Sequence, residues 1–170
     1  MYVQWLYEGA IFSSFPDDET LETLSGGHET YLHSREIPRL IELYLLGSYL
    51  QDEAFRNAVM DALVDWIETK DRFPIREVGM VFEHTSKSSP LRQLFIDLHV
   101  LILRGPTPVR TAKVTNFPGI YEFWGAIGRE LTRTRSGAMP RESEVPWKFD
   151  NCRYHEHSDR KAKEWGRIPK

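Results

Sequence analysis

With 170 residues, 41% of them hydrophobic and 28% charged, the chain has the balance of one ordinary globular domain with a core, not of a disordered polypeptide. The longest apolar runs, such as Leu98 to Leu103, are broken by polar groups and far too short to span a bilayer, so no membrane partner is expected. Residues 132–170 hold ten Lys/Arg against six Asp/Glu, a surplus of +4 that leaves −7 for residues 1–131 within a net charge of −3, and so acidic a body argues against nucleic-acid binding.

The opening residues, Met1 to Tyr7, are apolar and aromatic. They lack the basic end and small-residue cleavage site of a secretory signal. They suit the end of a helix or a short strand, with Glu8-Gly9 as a stop. Residues 13–34 are polar, with Pro16-Asp17-Asp18 and Gly26-Gly27, and read as a long loop with a helical turn over Asp17 to Leu24.

Two helices follow. From Arg35 to about Leu50, Ile37, Leu40, Ile41, Tyr44 and Leu45 recur at three- and four-residue spacing, and Pro38 suits the first helical turn. From Asp52 to Glu68, Phe55, Val59, Leu63 and Trp66 or Ile67 repeat the pattern, with Asp52 as N-cap. The short link between them predicts a helical hairpin whose stripes face one core.

Phe73-Pro74 marks a break. A short helix is expected from Ile75 to about His84, burying Val78, Val81 and Phe82. Ser89 as N-cap and Pro90 at the first position open a helix to about Leu103, burying Leu91, Leu94, Phe95, Leu98 and Leu101 or Ile102. Gly105-Pro106 stops it. The last helix is expected from Pro118 to about Thr132, with Ile120, Phe123, Trp124, Ile127 and Leu131 apolar. Gly119, Gly125 and Gly128 each weaken it by roughly 1 kcal/mol relative to alanine, so it needs tertiary support. Beyond Thr132 the periodicity is lost, and only Val145-Pro146-Trp147 and the segment around Tyr154 offer local anchors.

The hairpin carries a resemblance. Residues 40–63, LIELYLLGSYLQDEAFRNAVMDAL, resemble the last two helices of the BTB/POZ fold as written in filamentous fungi. Trp5-Leu6-Tyr7-Glu8-Gly9 is similar to the end of the preceding helix of that fold. Residues 81–97, VFEHTSKSSPLRQLFID, and residues 151–157, NCRYHEH, are similar to later segments of the same fungal proteins, in the same order. The fold class expected is therefore all-α in the main: a partial BTB/POZ-like C-terminal portion at 1–70, a helical extension at 71–132 and an extended or disordered basic tail at 133–170. The resemblance implies a non-enzymatic protein–protein interaction module, a scaffold or substrate adaptor of a cullin-type ubiquitin ligase. Self-association or a cullin-type scaffold supplies the partner. The part of the BTB domain that builds its dimer interface is expected to lie upstream of this sequence.

The chemistry that remains is sparse. Cys152 is the only cysteine, so no internal disulfide forms, which suits a reducing, intracellular compartment. Cys152, His155 and His157 place one thiol and two imidazoles within six residues, three candidate metal ligands. Their spacing is not that of a standard zinc finger. A tail packed locally through Trp147 and Tyr154 is the competing reading. Asp61, Asp65 and Glu68 share a helix with Ala62, Leu63 and Trp66 and fit its solvated side better than an acid–base site. His84, Ser88 and Ser89 lack any nucleophile elbow, and Ser89 already has a capping role. His28 and His33 are scattered, and His99 is expected on a helix surface or partly buried. Most of the aromatic residues sit on core stripes of an acidic body, and Trp147-Lys148 and Trp165-Gly166-Arg167 in the tail are the only places that fit a single-strand binder. No phosphate loop, dinucleotide fingerprint or calcium loop occurs, so no cofactor is expected. The alternatives to the adaptor are a metal-stabilised regulatory module using Cys152, His155 and His157, and a small enzyme of unknown chemistry.

Overall fold

A computed structural model describes residues 1–11, 29–70, 74, 76–104, 117–133, 145–149 and 151–157. The described residues are mainly helical and contain no strand. None of their helices is long and apolar enough to cross a membrane. The chain divides into two compact units, Met1–Asp71 and Arg72–Lys170.

The first unit holds α1 (Tyr2–Glu8), α2 (Glu29–Tyr49) and α3 (Glu53–Lys70). The opening aromatic run forms a helix rather than a strand. It ends where Gly9 turns left-handed at φ 65° and donates its N–H to the Trp5 carbonyl at 2.8 Å. A helix of seven residues is too short to hold itself together in water. Tyr2 and Trp5 supply the support, their rings 4.7 and 5.0 Å from that of Phe55 on α3, while the Tyr2 hydroxyl donates to Asp52 at 3.2 Å.

α2 begins six residues earlier than the apolar stripe indicates, at Glu29, so the segment expected as loop is helical from there on. Pro38 consequently sits inside the helix, not in its first turn. The stripe sees only the buried part of the helix. Its first turns belong to a polar sequence that periodicity cannot mark. Ile37, Leu40, Ile41 and Tyr44 are buried, as are Phe55, Val59, Leu63, Trp66 and Ile67 of α3, and the two helices pack as the expected hairpin. Glu36 accepts the Trp66 indole N–H at 2.7 Å, tying the helices together by a charge-assisted bond.

Between them the chain makes a Schellman turn. The N–H of Asp52 reaches the Gly47 carbonyl at 3.0 Å, that of Gln51 reaches Ser48 at 3.3 Å, and Gln51 is left-handed at φ 56°. Asp52 then caps α3, accepting the Phe55 N–H at 2.9 Å. Gly47 lies where the hairpin is tightest. A Cβ there would stand 2.7 Å from Cγ of Arg56 and 3.0 Å from the Phe55 ring.

The second unit holds α4 (Val78–His84), α5 (Pro90–Arg104), α6 (Ile120–Arg133), α7 (Pro146–Phe149) and a 3₁₀ turn at Asn151–Tyr154. α4 starts three residues later than expected, and Pro90 opens α5 directly after Ser89. Val78, Val81 and Phe82 meet Leu91, Leu94, Phe95, Leu98, Phe123 and Ile127 in the core, whereas Trp124 remains 40% exposed. Arg92 is the polar pivot. Its guanidinium donates to the carbonyls of Phe82 and Thr85, closing the end of α4, and to the Thr85 hydroxyl at 2.9 Å. It also lies 4.6 Å over the Phe82 ring and 3.5 Å from Glu122 of α6. One side chain thus joins three helices.

Within the span expected as an extended or disordered tail, residues 145–149 and 151–157 are folded, and Val145, Trp147 and Tyr154 are buried. The helical turn expected at Asp17 to Leu24, His28, the stops at Phe73 and at Gly105-Pro106, and Trp165-Gly166-Arg167 lie outside the described residues.

Candidate metal centre

The anchor for this region is a carboxylate in the middle of α5. Asp97 is buried and collects donors from two directions. On its own helix, Gln93 donates to Oδ1 at 2.8 Å. From the C-terminal segment, the Tyr154 hydroxyl donates to Oδ2 at 2.7 Å, and the Arg153 guanidinium stands 3.0 Å from the same oxygen. Burial and the facing Asp97 charge both raise the Tyr154 phenol above its ordinary range, so it stays a donor. Trp147, 4% exposed, packs the preceding turn into the same unit. Hydrophobic burial and a charged network therefore fix the backbone on the N-terminal side of the histidines.

What that backbone carries is the three-residue set named from sequence. A 3₁₀ helix has three residues per turn, so positions three apart eclipse one another. Cys152 and His155 are three apart, and the His155 N–H closes the turn on the Cys152 carbonyl at 3.2 Å. A bend at His155 then brings His157 round, leaving the two imidazole centroids 6.0 Å apart with planes at 66°. The segment is turned, not extended. One donor atom each from Cys152, His155 and His157 lies within 4.8 Å of the others. All three residues are partly buried. Nε2 of His157 is buried without a hydrogen-bond partner.

Among the described residues, the other polar candidates are not assembled into anything comparable. Asp61, Asp65 and Glu68 are exposed on α3, as the solvated-face reading expects. His84 and Ser88 are exposed while Ser89 is buried, so they do not form a shielded nucleophile site. His33 lies on α2.

His99 differs from expectation, being only 6% exposed. Its Nδ1–H donates to the Phe95 carbonyl at 2.7 Å, and its ring meets Phe123 edge-on at 4.9 Å. Burial lowers its pKa, only partly offset by that hydrogen bond. Arg92 and Asp97 are also buried, and no motif in the sequence sets them apart as site residues. Their one signal is a charge set among apolar neighbours in the run from Leu91 to Leu103. No family model, curated protein or solved structure matches the chain.

Proposed function

We propose that the chain is a non-enzymatic protein–protein interaction module. The observation that carries this reading is a pair of apolar triplets left exposed in the first unit. Val3, Leu6 and Tyr7 occupy one side of α1 at 64%, 56% and 86% exposure. Leu46 and Tyr49 at the end of α2 and Leu50 just past it, spaced identically, stand at 38%, 85% and 42%. Spacing of three and four residues is what a helix uses to bury a stripe, and here it marks side chains that nothing among the described residues buries. The occupant proposed is an apolar helical face of another polypeptide, with charged residues at the rim setting orientation. The resemblance of the α2–α3 hairpin to the closing helices of BTB/POZ domains supports the same reading. It also supports the finer one of a scaffold or adaptor in cullin-type ubiquitin ligation.

The test is size-exclusion chromatography with light scattering over a rising concentration series. The purified chain is expected to self-associate through its bare faces, and a Leu6→Asp, Tyr49→Asp double variant to be monomeric with unchanged helical circular dichroism. A wild-type chain that stays monomeric and binds no more apolar dye than the double variant overturns the reading. Direct binding to a purified cullin scaffold decides the adaptor role.

A further inference from the structure

We propose that Cys152, His155 and His157 form a zinc-class metal site that clasps the end of the second unit. The argument is independent of the protein-binding reading, which rests on the first unit.

Three facts converge. The donor set, one thiol and two imidazoles, is borderline-soft and is what Zn²⁺ selects over the harder Mg²⁺ or Ca²⁺. The donors are already gathered, each within 4.8 Å of the other two. With Zn–S of about 2.3 Å and Zn–N of about 2.0–2.1 Å, neighbouring donors in a tetrahedral site stand roughly 3.3–3.6 Å apart, so side-chain rotation of about 1 Å completes the geometry. And Nε2 of His157, one of the two ring nitrogens that this residue can offer, is shielded from water with no hydrogen-bond partner, a cost that ligation through it would remove.

The fold also prepares the site. Tyr154 and Arg153 on Asp97, together with buried Trp147, fix the turn that carries Cys152 and His155, so little chain entropy remains to be lost on binding. On binding, the thiol gives up its proton to solvent and each imidazole offers a neutral nitrogen. Three protein donors leave the fourth position of a tetrahedral ion to water.

The test uses the full chain without an affinity tag, dialysed against chelator and titrated with Zn²⁺ alone and with Co²⁺ alone. One equivalent is expected to bind. Co²⁺ should give the intense visible bands of a four-coordinate ion and a near-ultraviolet thiolate charge-transfer band. Cys152→Ser should abolish the charge-transfer band and weaken Zn²⁺ binding by at least about 100-fold, with His157→Ala also weakening it. Zn²⁺ should raise the thermal midpoint of wild type but not of Cys152→Ser. Absence of stoichiometric binding, a six-coordinate cobalt spectrum, or a Cys152→Ser protein that binds as tightly as wild type overturns the proposal.

Discussion

His99 shows how one buried side chain makes stability answer to pH. In the neutral tautomer its Nδ1–H is used by the Phe95 carbonyl, while Nε2 is buried without a partner. Protonating the ring would place a second N–H where nothing accepts it, and burial accordingly lowers the pKa. The groups the ring meets are the Phe95 backbone and the Phe123 ring, and no charged group contributes to the shift. Because the folded pKa lies below the unfolded one, the unfolded chain takes up the proton first as pH falls. Stability is therefore full above about pH 6.5, drops as pH falls through that value, and levels off below the folded pKa. Urea unfolding of the second unit is expected to show a lower midpoint at about pH 5 than at about pH 7.5, and a smaller drop in a His99→Gln variant. An equal drop in both proteins would remove His99 as the cause.

At the scale of elements, the Schellman turn between α2 and α3 places Gln51 where glycine is usual. A left-handed residue with a Cβ costs roughly 1–2 kcal/mol, of which glycine's extra unfolded-state freedom gives back a part. Gln51→Gly is thus expected to stabilise the hairpin by roughly 0.5–1 kcal/mol, measured by chemical denaturation. The hairpin itself was legible because its buried stripes, Ile37 to Tyr44 and Phe55 to Ile67, repeat at helical spacing, and because Asp52 is a capping residue in the right place. The start of α2 is not legible, since its first residues are polar and carry no stripe, which also makes Pro38 read as a first-turn residue. The burial of His99 escaped for a related reason. Periodicity predicts a stripe, but α5 is buried from Leu94 through Val100, wider than any stripe. The metal-ligand set was visible as a composition of donors. Its convergence was not, because a 3₁₀ turn followed by a bend leaves no periodic trace.

Across the whole molecule, the two proposals rest on different units: exposed apolar triplets in the first, gathered donors in the second. In the second unit Asp97 receives both Tyr154 and Arg153. Removing the Tyr154 hydroxyl alone, as in Tyr154→Phe, leaves a buried carboxylate short of one donor and is expected to cost about 1.5–3 kcal/mol in denaturant unfolding.

The same convergence has a dynamic consequence. Because the Tyr154 hydroxyl and the Arg153 guanidinium meet on one carboxylate of α5, the described residues between 145 and 157 are expected to peel away together while α5 stays intact. Native-state hydrogen exchange should find its amides, at Lys148 and His155 for example, opening together and before those of the α5 interior. Loss of the phenol should speed that opening without touching the helix beneath.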